Sequence, residues 1–109
     1  MQETAGATAQ RLSTLARLYE AGQSSPMMDR TLEKLLAHEA EEAKRQLEEL
    51  DAEPATFEQI YGMSSTDFFR RYQKGSTDDR MDFVEWASLM RMRENLLHRL
   101  ELLTGGNAE

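Results

Sequence analysis

"YGMSSTDFFRRYQKG", residues 61–75, gathers two glycines, a serine pair, an aromatic pair and two adjacent arginines into one short stretch. Two architectures fit it: the turn and second helix of a DNA-reading helix-turn-helix, or a helical corner that plugs a small bundle. The residue types favour the corner. A recognition helix presents polar and basic side chains to a groove, whereas Phe68, Phe69 and Tyr72 fill much of this segment and Tyr61 adds a further ring at its start. "FEQIY", residues 57–61, is also short for the first helix of a DNA-binding pair. Arg70, Arg71 and Lys74 do form one basic spot, so nucleic-acid binding is retained as a weak alternative.

Start and stop signals extend outward from this stretch. Ser64, three residues before Asp67, marks a helix start that runs toward Gly75. Upstream, Thr56 and Gln59 have capping-box spacing, and Gly62 closes the turn that follows them. A helical corner is therefore predicted over residues 56–75. Pro54 disfavours helical geometry in Glu53 and so ends whatever helix precedes it.

That preceding helix begins in "SSPMMDR", residues 24–30: Ser25 can accept from unpaired backbone N–H groups, Pro26 suits the first helical position, and Asp29 complements the dipole. One long helix is predicted over 26–51, about 37 Å at 1.5 Å per residue. Leu32, Leu36, Ala40, Ala43, Leu47 and Leu50 recur at steps of three and four and approach a heptad from Leu36 onward. Alanines thin this seam, and Glu39, Glu41, Glu42, Glu48 and Glu49 surround it. A helix so long and polar is expected to project or to pair with another helix. Ahead of it, Leu12, Leu15, Ala16 and Tyr19 mark a short amphipathic helix over 10–21 that Gly22 ends; residues 1–8, small and polar, are expected to be flexible.

The last helix is predicted over 79–103, with Asp78, Asp79 and Asp82 near its positive end. Phe83, Trp86, Ala87, Met90, Leu97 and Leu100 line one face, and Leu89, Met92, Leu96 and Leu103 line a neighbouring one. An apolar arc this broad needs two sets of contacts: the aromatic corner for one, and the long helix or a second chain for the other. Phe68, Phe69, Phe83 and Trp86 are the candidate core. The expected architecture is all-α, a single domain over 1–109 built as a long helical hairpin or bundle with a short helix-turn-helix corner. Apolar surface beyond what one small chain covers predicts a homodimer with coiled-coil-like packing.

Composition narrows the function. The chain has 109 residues with 20 acidic and 13 basic side chains, a net charge of -7, so its mean field repels phosphate and attracts a basic partner. The absence of cysteine removes disulfide scaffolds, thiol catalysis and thiolate metal sites. No basic leader with an apolar run and no apolar stretch of membrane length is present, which leads to the expectation of a soluble, unprocessed cytoplasmic protein with no membrane partner. His38 with Glu42, and Glu94 with His98, lie one turn apart, yet the Glu-x-x-His spacing of di-iron bundles is missing, so neither metal nor cofactor is expected. Asp82 and Glu85 are the only carboxylates embedded among large apolar residues, and their expected role is to compensate charge and pair with Arg70, Arg71 or Arg80. No catalytic residues are expected, and the chain reads as a non-enzyme.

Residues from about Thr31 to Leu103 resemble small prokaryotic antitoxin-like proteins, the partner components of toxin-antitoxin gene pairs. The resemblance is carried by "LEKLL" at 32–36 ahead of a long charged helix, "YGMSS" at 61–65, "FF" at 68–69, Gly75, and "MDFVEWASL" at 81–89 leading into a leucine-rich tail. It covers roughly two thirds of the chain and leaves residues 1–24 outside. What it implies is a non-enzymatic acidic protein that neutralises a basic toxin by binding it. On that reading Glu41, Glu42, Glu48 and Glu49 steer the partner, while Met92, Leu96 and Leu103 hold it. The alternatives are a self-associating coiled-coil-like scaffold and, more weakly, a DNA-binding regulator acting through the corner.

Overall fold

Start and stop residues set the element bounds in the computed structural model, which describes residues 2–105. Five helices follow one another: α1 (Gln2–Glu20), α2 (Pro26–Ala52), α3 (Ala55–Tyr61), α4 (Ser65–Gln73) and α5 (Met81–Leu103). No strand occurs among the described residues. Met1 and residues 106–109 of the expected single domain lie outside them.

α1 begins well upstream of the predicted Gln10. Apolar periodicity has little to track in "ETAGATA", but Ala5, Ala7 and Ala9 are strong helix formers and carry the helix through Gly6. Gly22, at φ 71°, follows the end of α1, and α2 starts where Ser25 predicts: the Met28 amide donates to Ser25 Oγ at 3.2 Å. α3 starts on Ala55 after Pro54 with no side-chain cap. The expected Thr56–Gln59 capping box is therefore not made, because Thr56 already lies inside the first turn. Ser64 does cap α4, accepting from the Asp67 amide at 3.1 Å.

α5 opens at Met81, two residues later than predicted. Asp78 explains the delay, since its carboxylate accepts from the Arg80 amide at 3.1 Å and from the Arg80 guanidinium at 2.7 Å. The residue before the helix is thereby held in extended geometry, at φ -61° and ψ 152°. Only Asp82 of the three expected aspartates stands in the first turn.

The chain divides into two units, residues 1–35 and 36–109. The first comprises α1 with the opening turns of α2, joined across the turn by the Tyr19 hydroxyl donating to Asp29 Oδ1 at 2.7 Å. Leu15, Met28 and Leu32 are half-buried there, and none of residues 5–35 is buried.

The second unit holds the core. Trp86 and Phe68 are fully buried and stack with ring centroids 4.0 Å apart and planes 2° from parallel. Phe57, Phe69, Phe83, Ala87 and Met90 complete the cluster, with Tyr61, Met63, Tyr72 and Leu89 packed on its edge. Full burial of each such ring stabilises the fold by about 1.5–3 kcal/mol. Along the rest of α5, residues 36–52 of α2 lie antiparallel, in a register marked by the pairs Arg93 to Asp51 and Arg99 to Glu39, both at 2.7 Å. Ala43, Leu50 and Leu100 are buried along this seam. Of the leucines that predicted a second chain, Leu50 is buried and Leu47 half-buried within the unit, whereas Leu36 keeps 49% exposure.

No helix among the described residues is long and apolar enough to cross a membrane.

Candidate partner-binding surface

The four expected steering glutamates of α2 fall on two flanks, because a spacing of seven returns to nearly the same helical azimuth. Glu41 and Glu48 share one flank, Glu42 and Glu49 the other, and Arg45 stands between them. Arg45 pairs with both Glu42 and Glu49, while Lys44 Nζ approaches Glu41 at 3.7 Å. The Glu42 carboxyl is held below its ordinary range, chiefly by its hydrogen bond with Arg45, and the guanidinium is raised in turn. Three of the four expected steering glutamates thus already have basic neighbours. Glu48 alone of the four has no ion pair among the described residues. Since these pairs are solvent-exposed, each contributes little to stability and is screened by salt.

The second flank borders an apolar groove. Gln46, Glu49 and Leu50 of α2, with Glu53 in the turn just after it, face Met92 and Leu96 of α5 across it. Leu50 is its buried floor, Leu96 is half-buried, and Met92 is 53% exposed. The structure therefore brings together Glu49, Met92 and Leu96 of the expected partner-binding set. Glu41, Glu42 and Glu48 line a different concavity with His38, Lys44 and Arg45, and Leu103 is half-buried at the end of α5, outside the groove lining.

Gln46 and Glu53 belong to the groove edge and were not among the expected residues. Their signal was present in the sequence: with Glu49 they stand at i, i+3 and i+7, a spacing that continues one flank of α2 into the turn after it. A methionine at the centre of such a groove suits an adaptable contact, because its unbranched, polarisable side chain fills irregular apolar gaps.

The corner contains structural polar contacts. Asp82 accepts from the Tyr61 hydroxyl at 2.6 Å, not from an arginine as expected. That bond is the main reason the Tyr61 hydroxyl titrates above its ordinary value. Arg80 instead pairs with Asp78 and lies over the Phe83 ring, 4.6 Å from its centroid. Glu58 accepts from the Ser65 amide at 2.8 Å, tying α3 to the start of α4. Glu85 is exposed at the rim of a concavity with Glu53, Thr56, Phe57 and Leu89.

Arg70, Arg71 and Lys74 are all exposed, opposite the buried Phe68 and Phe69 side of α4. Arg70 is paired with Asp67 at 3.1 Å, so part of the basic spot is neutralised locally. No group of three or more His, Cys, Asp or Glu side chains that could hold a metal ion occurs among the described residues.

Comparison with protein-family models, with curated proteins and with solved structures finds no match to this chain.

Proposed function

We propose that this chain is a non-enzymatic, antitoxin-like binding module that neutralises a basic protein toxin by direct contact, with the α2–α5 groove as the contact site. The observation that carries this reading is one groove with an apolar floor, Leu50, Met92 and Leu96, and an acidic edge, Glu49 and Glu53. It lies in a unit that carries the chain's whole net charge, with sixteen acidic against nine basic residues over 36–109. Long-range attraction speeds the encounter with a basic partner, and buried apolar anchors set its lifetime. Self-association is part of this reading, as a platform that presents the groove.

Expression of the neighbouring gene product, alone and together with this protein, tests it. Arrested growth that co-expression restores, with both chains co-purifying, is the expected result. Unaffected growth together with no complex on a sizing column overturns the reading and leaves a self-associating scaffold as the better account. The DNA-binding alternative is weaker, because Arg70 is already paired and the unit is strongly acidic.

A further inference from the structure

The groove of Leu50, Met92 and Leu96 does not stop at Glu53. That residue also borders the concavity of Phe57, Leu89 and Glu85, so the two adjoin at the turn after α2. Along α5, Glu85, Leu89, Met92 and Leu96 follow one another at steps of four, three and four, a single stripe of one helical face. The stripe is about 16 Å long at 1.5 Å per residue, or about three turns. Among the described residues no lysine, arginine or histidine lines either part, whereas three glutamates do. Glu49 is paired with Arg45. Glu53 and Glu85 are exposed and have no ion pair among the described residues.

The walls decide the form an occupant takes. α2 and α5 are helices, which bond their backbone groups internally, and no strand edge occurs among the described residues. In the turn between α2 and α3 the Glu53 amide is already bonded to the Leu50 carbonyl, and Pro54 has no amide hydrogen to give. An extended peptide on this floor would lose water from its backbone groups and gain little in return. A helix arrives with those groups paired and lays one apolar stripe between two other helices. Its charge follows from the rims: Glu53 on the α2 side and Glu85 on the α5 side have no cation of their own, so basic side chains on the occupant complement them. Resting on the reading of this groove as the contact site, we propose that its occupant is one basic amphipathic helix of a partner protein, about three turns long. Its apolar stripe sits over Leu89, Met92 and Leu96, and its lysines or arginines meet Glu53 and Glu85.

A capped peptide of leucine, lysine and alanine, about 14 residues long with its leucines at helical spacing, tests this by NMR titration of the full chain. A control of the same composition, with leucine at every second place, carries the same charge but forms no apolar helix face. The helical-spacing peptide should shift the amides of residues 85–96, gain helicity by circular dichroism, and bind at least about tenfold more tightly than the control. Glu53→Gln with Glu85→Gln should weaken it about fivefold at low salt, a difference that closes at about 1 M salt, where charges are screened beyond about 3 Å. Met92→Gln should weaken it equally at both salts. Equal binding of the two peptides, no binding, or full affinity in the Glu53 and Glu85 variant overturns the proposal. Amide shifts over 85–96 that change when the chain alone is diluted would put a second copy in the groove and overturn it too. The outcome is separable from the toxin reading. A neighbour that is neutralised and co-purifies, while both peptides bind alike, leaves that reading standing and removes the helix; a selective peptide with no toxic neighbour does the reverse.

Discussion

The Trp86 indole N–H donates to Ser65 Oγ at 2.9 Å inside the aromatic cluster, joining the first turn of α4 to α5. Trp86 is fully buried and Ser65 is buried with it, so water cannot replace the acceptor. The Ser65 amide is meanwhile held by Glu58 of α3. One serine thus ties three helices, with its hydroxyl to α5, its amide to α3 and its backbone in α4.

Ser65→Ala should destabilise the fold by about 1–3 kcal/mol, the cost of leaving a buried donor without a partner. In a Trp86→Phe background, which has no donor to orphan, the same change should cost clearly less. Trp86→Ala should cost about 3–5 kcal/mol as a large-to-small core substitution. Urea unfolding followed by far-ultraviolet circular dichroism measures all four variants. Additive single and double effects would remove the hydrogen bond from the account.

Gly62 caps α3 at φ 63°, and an added Cβ there would meet nothing within 4 Å. Gly62→Ala should therefore cost about 1–2 kcal/mol from left-handed backbone strain alone. Gly6 stands inside α1, also with open space around its Cβ position. Gly6→Ala should raise helicity and stabilise by about 0.5–1 kcal/mol. Opposite signs from one substitution type in thermal melts are the expected outcome.

Asp78 is held well below its ordinary value of 3.8, at about 2, first by its hydrogen bond from the Arg80 side chain and next by that from the Arg80 backbone. A carboxylate lowered in the folded state adds stability that is present above pH 4 and is lost as pH falls toward 2. The pair is exposed, so added salt should shrink the effect. Melting temperature against pH from 5 to 2 should drop less steeply in Asp78→Asn than in the natural chain; parallel curves would contradict the assignment.

The alkaline limb has the opposite sign. Tyr61 titrates above its ordinary value of 10.0, because its hydroxyl donates to Asp82 and burial adds to that. A group raised in the folded state contributes stability that is complete below pH 10 and is lost as pH climbs through the higher folded value. Tyr61→Phe should remove this loss, read as a flatter stability curve above pH 10 and one fewer late-ionising tyrosine at 295 nm.

Once a partner is in hand, the two components of the groove should separate kinetically. Glu49→Gln with Glu53→Gln should slow association and weaken its salt dependence, whereas Met92→Gln with Leu96→Gln should speed dissociation. Neutral substitutions are preferable to lysines at these positions, because Arg45 pairs with Glu49 and a reversal would set two cations side by side. Equal effects of both pairs on the off-rate would argue against a steering edge.

Much of the fold was legible because it rests on local chemistry. Ser25, Pro26, Gly22, Ser64 and Gly62 act on their own backbone neighbours, and each stands at a helix boundary in the structure. The aromatic crowding at 61–72 and 83–86 likewise announced that Phe68, Phe69, Phe83 and Trp86 needed a common interior, where they lie. Local signals failed where a side chain found a distant or competing partner. Asp78 took Arg80 and delayed α5.

By itself the sequence determined the helices, their order and the aromatic core, because propensity, capping and apolar period are properties of neighbouring residues. It also determined the charge asymmetry between residues 1–35 and 36–109. Only the tertiary structure decided that Glu49 faces Met92 and Leu96 while Glu41 and Glu48 lie on another flank. Only the tertiary structure decided, too, that Trp86 donates to Ser65 and Tyr61 to Asp82. Helical period says which residues share a face, but which face meets which neighbour depends on the crossing and register of α2 and α5. That register is marked by Arg93 with Asp51 and Arg99 with Glu39, partners 42 and 60 residues apart in the chain, with Ala43, Leu50 and Leu100 buried along the seam.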